Sequence, residues 1–541
     1  MVQRQLRNIL FGILVAGYLY YGFQFIQKSA VTAHGQTYYV LFDDAMISMR
    51  YAYNLAHGIG LVWNPGEYVE GFTNPLWVGF MAIFHLFPIP ANQISFYIQL
   101  SGLVFLTINL YFVRKIMEEF TGDLFAMLAA VAFTAFYGPL NTWSLLGMEV
   151  SILTLILSAA VWIAIHNSSR FTPWPYILLA VATLIRMDMS VPYIIVLGVL
   201  WMVQPQYRRQ HLAWGLGLLI LFLGGQTLAR YLYYGEILPN TYYLKIQGFA
   251  ISLRIFRGLY AFFHLIYYAN WAVFLLPLSL FLFHRNWRVT LLFLVIVGQV
   301  AYSIYVGGDA WEHSVSANRY ISIAMPLYFV GLAWALDVVL RKVLAAWGAA
   351  SNNVSLLFSS RAVYAALFVF ILLSFNAQFG EWRSIERWQL ARRAVFLQGN
   401  ERNLKIAILL ENVTRPGASI AVVGAGSIPY FLPDRVAIDI MGKVDPVIAK
   451  GPIRTPNGIP AVAYLLPGNE NQMRPGHMKW NYAHTLGELK PDVVVSLWDE
   501  TMDEAEPYLQ EYVFATIGDN TSVLLRKGSS NILWDQIVIN E

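Results

Sequence analysis

Two adjacent carboxylates, Asp43–Asp44, follow the first long apolar run of the chain and precede an amphipathic stretch, Ala45–His57. Such a pair can ionise, hydrogen-bond a hydroxyl, serve as a general base or hold a divalent cation. It can equally open the following helix, where a carboxylate satisfies unbonded N–H groups and the helix dipole. Other polar groups collect in short clusters: Glu149 after Gly147-Met148, Arg186-Met187-Asp188, the run Arg230–Lys245 with Glu236, Asn240, Tyr242 and Tyr243, and the run Asp309–Arg319 with Glu312 and His313. Ionisable groups beside hydrocarbon are costly and tend to be functional. Arg186, Arg230, Lys245 and Arg319 suit charge-assisted bonds to a lipid phosphate, and equally suit ion pairs with Asp188, Glu236, Asp309 or Glu312. The tyrosines read either as membrane-interface anchors or as sugar contacts.

The elements that must position these groups are set by composition. Of 541 residues, 57% are hydrophobic and only 13% charged, and mean hydropathy is +0.51. That excludes an ordinary soluble protein, a disordered chain, collagen and a coiled coil, and predicts an α-helical polytopic membrane protein. With no cysteine there is no disulfide frame, thiolate metal site or cysteine nucleophile. A net charge of +4 is explained by basic loops, so nucleic acid is not implied as a partner.

The run Asn8–Gln27 follows Arg4 and Arg7 and reads as an uncleaved first span with its N-terminus inside. Later apolar runs bring the total to about eleven spans. Alternating them places Arg114–Lys115, Arg170, Arg208–Arg209, Arg285 with Arg288, and Arg341–Lys342 inside, as the positive-inside rule asks. Thr73–Ile89 is read as a helix lying in the outer interface, since a span there would put Arg114–Lys115 outside. Every polar cluster then falls on the outer face of a bacterial cytoplasmic membrane.

Near residue 381 charge, proline and glycine rise, and β-branched runs such as Ser419–Val423 and Val493–Leu497 alternate with helical stretches. We read residues 1–380 as a membrane domain and 381–541 as an extracytoplasmic α/β domain. Val422-Val-Gly424-Ala-Gly426-Ser-Ile-Pro429 hints at a dinucleotide turn, but proline replaces the third glycine, so a tight strand-to-helix turn is the reading. Gly476-His477-Met478-Lys479-Trp480 gathers an imidazole, a cation and an indole; it is a surface loop or a site.

Asp43-Asp44 through Arg50 and Gly58, Gly60-Leu-Val-Trp-Asn-Pro-Gly66 and Glu70-Gly-Phe-Thr-Asn-Pro-Leu-Trp77 resemble the first outer loop of GT-C membrane glycosyltransferases, above all the mycobacterial terminal arabinofuranosyltransferases. Leu238-Pro-Asn-Thr-Tyr-Tyr243 with Lys245, Tyr305-Val-Gly-Gly-Asp309 with Arg319, and in the tail Gly424, Gly426, Asp439, Gly442, Asp445 and Gly476-His477 with Lys479-Trp480 are similar too. One departure is Met187-Asp188, where similar proteins often carry proline after the arginine.

The resemblance implies a GT-C-like fold and transfer of a sugar, arabinofuranose first, from a polyprenyl-phosphate donor to a glycan, glycolipid or protein acceptor beside the membrane lipids. Asp44 or Asp43 would be catalytic. Arg230, Lys245 and Arg319 would bind the donor phosphate, and Glu149, Asp188, Asn240, Tyr242, Tyr243, Asp309, His313, His477, Lys479 and Trp480 a donor or acceptor sugar. No nucleotide site is needed, and the acidic pair can accept a divalent cation. The same fold with lipid-linked mannose or galactose, and a non-enzymatic carrier of lipid-linked sugar, are the alternatives.

Overall fold

The computed structural model describes residues 2–284, 286–348, 355–377, 382–454, 474–498, 501–518 and 521–539. Arg285, one of the expected inside charges, lies outside them. The chain packs into two compact units, each assembled from three segments.

The first unit comprises Met1–Lys28, Gln99–Gly225 and Gly258–Val395. It is helical, and its local breaks have readable causes. Asp123 caps the Leu124–Ala135 helix by accepting from Ala126 N at 2.8 Å. That helix bends by 46° into Gly138–Leu145, whose first turn contains Pro139. Asn270, at φ 65°, turns Ile251–Tyr268 through 105° into Trp271–Phe283. Tyr137, Phe329 and Phe375 pack edge to face at the core, with ring centroids 5.2 Å apart from Tyr137 to Phe329 and from Phe329 to Phe375.

Over the described residues, Gln3–Ser29, Ala91–Glu118, Pro205–Tyr234 and Trp287–Val306 are long and apolar enough to cross a membrane, and the two bent pairs raise the number to six. The sequence reading expects about eleven. The difference arises because other apolar runs, such as Val150–His166 and Trp174–Ile185, form helices of 17 and 12 residues. Thr73–Ile89 likewise holds a short helix, Pro75–His85, with Leu76 and Ile83 exposed and Trp77, Val78 and Met81 buried.

The second unit comprises Ser29–Ile98, Gln226–Arg257 and Phe396–Glu541. Strands β1 (Val31–Ala33) and β2 (Gln36–Tyr38) form a hairpin whose turn residues, His34 and Gly35, both have positive φ, as the right-handed strand twist favours. The main sheet has six strands: β3 (Ser419–Val422), β4 (Val436–Asp439), β5 (Val493–Val494), β6 (Tyr512–Ile517), β7 (Thr521–Arg526) and β8 (Val538–Ile539). Their order is β4-β3-β5-β7-β6-β8, with β3 parallel to both β4 and β5 and the remaining pairs antiparallel. The expected strand runs at 419 and 493 are thus the central parallel pair.

Arg50 binds the early loops of this unit to its sheet region. The side chain is fully buried in the Asp43–Ala56 helix, and its guanidinium donates to the carbonyls of Trp63, Pro429, Leu432 and Arg435. Four acceptors meet the hydrogen-bonding demand that makes a buried arginine tolerable.

Candidate functional site

In the second unit, the register pairs Val422 with Asp439, so the carboxyl ends of β3 and β4 lie side by side. Crevices at the carboxyl ends of parallel strands are favoured ligand sites because the turns leaving them expose backbone N–H groups. The acidic pair is brought to these two turns. The cap position of the Asp43–Ala56 helix falls on Phe42, so Asp43 and Asp44 occupy its first turn.

Asp43 spends its carboxylate on the turn after β3, accepting from Gly426 N at 3.3 Å, Ser427 N at 3.0 Å and Ser427 Oγ at 3.1 Å. The glycines explain themselves here: a Cβ on Gly426 would stand 1.9 Å from the Asp43 carbonyl oxygen. One on Gly424 would stand 3.3 Å from Asp43 Oδ2. The incomplete dinucleotide fingerprint is therefore a seat for Asp43, and Pro429 sits inside the short Ser427–Phe431 helix that follows.

Asp44 pairs with Lys443, which lies on the turn after β4, at 3.0 Å; the two side chains are 18% and 12% exposed. Lys443 is held by its own loop rather than by chance. Buried Asp439 accepts from Met441 N at 2.9 Å and Val444 N at 2.8 Å, and Asn240 Nδ2 donates to the carbonyls of Gly442 and Lys443, both at 3.0 Å. Burial works against the Lys443 charge, but Asp44, Asp43 and Asp439 outweigh it and hold its pKa above the ordinary value. Burial pushes the Asp439 carboxyl up to about 6 against those two N–H bonds and the Lys443 charge.

His477 belongs to the same group. Burial, with Lys443, Lys245 and Arg474 against Asp44, brings its pKa down to about 3 and keeps the imidazole neutral. Its ring stacks on Trp498 at 5.6 Å. Lys245 lies along Gly476, where φ is +85° and a Cβ would meet Lys245 Cε at 2.9 Å.

Other expected residues of this unit have partners of a different kind. Arg230 forms a buried two-pronged ion pair with Glu70, its Nε and Nη2 each meeting a carboxylate oxygen. Lys479 is buried and donates to the carbonyls of Tyr243, Gln247 and Ala449 at 2.8–3.0 Å. Trp480 lies in the core with Ile440 and Tyr482, its Nε1 donating to Glu504. Tyr243 donates to Glu236 at 2.9 Å, and Tyr242 is partly exposed.

In the first unit, Arg186 adopts an extended backbone between two helical segments. It donates to both carboxylate oxygens of Asp188 and to Glu149 at 2.9–3.3 Å, and stacks over the Tyr320 ring. Gly307 ends the Trp287–Val306 helix at φ 87°, which turns the chain toward Asp309. Arg319 pairs with Asp309 at 2.9 Å, and Asn318 donates to Glu312 at 2.8 Å. His313 lies on the turn Glu312–Ser314, and its side chain is outside the described part.

Asp43, Asp44, Asn240, Lys245 and His477 thus belong to one group with Asp439, which the resemblance also carried, and to these the structure adds Lys443. Lys443 escaped the sequence reading because it belongs to no local pattern; its signal was a cation two residues before Asp445, just beyond a strand end. Among the described residues no three His, Asp or Glu side chains are arranged to hold a metal ion.

Residues 385–528 match a family model described as a domain of unknown function, DUF8728. No curated protein matches the sequence. Solved structures do. ArnT from Cupriavidus metallidurans, bound to undecaprenyl phosphate, aligns over 96% of this chain and 97% of its own at 12% identity and a TM-score of 0.52. The oligosaccharyltransferase AglB from Archaeoglobus fulgidus, in complex with an inhibitory peptide and a dolichol-phosphate, aligns over 99% of this chain and 76% of its own at 11% identity and a TM-score of 0.51. At that identity the likeness concerns the fold: the chain has the GT-C-like fold of these membrane transferases.

Proposed function

We propose that the protein is a glycosyltransferase that moves a sugar from a polyprenyl-phosphate donor to a hydroxyl of an envelope glycan or other acceptor, with arabinofuranose as the first choice of sugar. The observation that carries this reading is the Asp44–Lys443 pair, held at the strand ends beside a neutral His477. In the reaction the bond between sugar C1 and the phosphate oxygen breaks, a bond from C1 to the acceptor oxygen forms, and the acceptor proton leaves. Asp44, paired with Lys443, is the carboxylate that takes that proton. Lys443 and Lys245 supply positive charge for the departing phosphate, where charge develops. His477 adds a polar group without adding charge.

An inverted product assigns Asp44 the role of base; a retained product assigns it the role of nucleophile. Arg230 and Arg319 hold carboxylates in this reading instead of meeting the donor. Support for a lipid-linked donor comes from the fold shared with ArnT and AglB, and support for arabinose from the sequence resemblance. The reaction is proposed for the outer face of the cytoplasmic membrane, a side supported by the distribution of basic residues among the loops.

The test is transfer by the purified full-length protein in lipid nanodiscs, offered polyprenyl-phosphoryl arabinose, mannose or galactose with oligosaccharide acceptors and read by mass spectrometry. Transfer from one donor is expected. Folded protein that transfers from none of them would overturn the reading.

A further inference from the structure

Asn240, whose amide holds the Lys443 loop, also lines a cavity of about 100 Å³ that the transfer chemistry leaves unused. Tyr68, Glu70, Tyr234, Glu236, Tyr243 and Lys450 contribute to its wall. Its charges cancel in pairs: Glu70 is matched by Arg230, and Glu236 by Lys450. A cavity so balanced has no excess charge with which to recruit a phosphate or a cation. It does have donors and acceptors side by side, from the ammonium of Lys450, the carboxylate of Glu236 and the tyrosine hydroxyls. A ligand whose groups each donate and accept, a polyol, matches that mixture.

The aromatic groups fit the same ligand. Tyr243 carries the Lys450 ammonium 4.8 Å above its ring centre, and Tyr68 packs edge to face on Tyr233 at 5.2 Å. Tyr68, more than half exposed, offers an apolar face to the C–H side of a sugar and a hydroxyl at the edge, while the ammonium covers one face of Tyr243. The wall is braced before any ligand arrives: Tyr234 donates to Leu61 O at 2.7 Å, and Tyr51 donates to Val69 O at 2.7 Å while accepting from Gly71 N at 3.0 Å. Bracing of this kind lowers the ordering cost of binding. The volume equals the liquid share of about three waters, which suits the hydroxyl-bearing edge of a single ring.

We propose that this cavity is a subsite for one neutral sugar residue of the acceptor glycan. The proposal rests on the glycosyl-transfer reading and deepens it. Asn240 is the link, since the residue that lines the subsite also fixes the carbonyls of Gly442 and Lys443. An acceptor seated there settles against the element that carries Lys443.

Binding needs no turnover, so the test is kept apart from catalysis. Full-length protein in nanodiscs is titrated with neutral arabinofuranosyl and mannosyl tetrasaccharides, and separately with inorganic phosphate, by calorimetry. The double variant Glu236→Gln/Lys450→Met removes the pair without changing net charge; each side chain is 42% exposed, so folding is spared. Tyr68→Ala is the second variant, and Asp44→Asn the control.

At least one tetrasaccharide should bind wild type and Asp44→Asn alike. It should bind the double variant and Tyr68→Ala about tenfold more weakly, with any phosphate response unchanged. Absence of neutral-glycan binding, equal binding by wild type and both variants, or a phosphate response lost with the pair would each overturn the subsite. Pair-dependent glycan binding by a protein that uses none of the lipid-linked donors would retain the sugar site and reject the transferase reading.

Discussion

The polar cluster of the first unit and the strand-end group of the second hold charge in different ways, although the second unit also buries an arginine pair, Arg230–Glu70. In the first, the cations are arginines: Arg186 is forked onto Asp188 and reaches Glu149, and Arg319 meets Asp309, all five pairing side chains largely shielded from solvent. In the second, the ion pair at the strand ends joins a lysine to an aspartate and keeps partial access to solvent. Guanidinium is planar, always charged and well matched to carboxylates, so its buried pairs fix geometry. An ammonium is a compact point charge on a flexible stem, and it can exchange one anion for another. The arginine cluster is therefore suited to hold loops in place, and the Lys443–Asp44 pair to meet a substrate.

Arg319→Met gives the largest expected effect. It removes the cation beside buried Asp309 and should cost about 3–5 kcal/mol of stability, seen as a lowered midpoint in thermal unfolding of the solubilised protein. Adding Asp309→Asn should recover much of that loss. Unchanged stability together with lost donor binding would dissolve the contrast between the clusters and return Arg319 to the donor site.

Asp44→Asn should reduce transfer by about two orders of magnitude or more with the unfolding midpoint preserved. Asp43→Asn should lose less, because the amide oxygen can still accept from Ser427 N and Oγ, although the bond from Gly426 N, which goes to the other carboxylate oxygen, is lost. The reverse ranking in rate assays would move the reaction centre to Asp43.

Gly426→Ala should destabilise the unit by about 1–3 kcal/mol, the usual cost of forcing atoms into a filled space. Gly417→Ala makes the informative partner: φ there is positive at +85°, unlike the −101° of Gly426, and nothing stands near its Cβ. If transfer falls further for Gly426→Ala than for Gly417→Ala at matched stability, the turn positions the acidic pair.

The smallest effect concerns pH. Asp439 has a folded pKa of about 6 against an ordinary 3.8, so the folded chain binds this proton more tightly than the unfolded chain. As pH falls from about 6 toward 3.8 the group therefore favours the folded state, and its stability contribution is lost as pH rises through 6. What acid removes is carboxylate acceptance from Met441 and Val444, loosening the Lys443 loop. Transfer should drop several-fold below about pH 6 without unfolding, and Asp439→Asn should flatten that limb of the pH–rate profile. A limb unchanged in Asp439→Asn would assign the titration to another group.

Patterns carried by neighbouring residues were legible in the sequence. The apolar runs became helices, the β-branched runs at 419 and 493 became paired parallel strands, and the acidic pair fell in the first turn of a helix. What a residue does with its side chain was legible only where its partner is near in sequence, as for Arg186 and Asp188. Glu70 and Arg230 are separated by 160 residues, Asp43 and Ser427 by 384, and no periodicity connects them. Lys479 and Trp480 carry residue types suited to sugar recognition, yet three carbonyls and the core occupy them. Type and spacing do not reveal whether a polar group is already satisfied.

The 399 residues between Asp44 and Lys443 are also an interval of time. At about 5–20 residues per second, a ribosome delivers the lysine roughly 20–80 s after the aspartate. Throughout that interval the chain makes and inserts its apolar helices while Asp44 lacks its counterion. The pair closes only when synthesis has passed the last of those helices, so a truncated or stalled chain carries the acid without its cation.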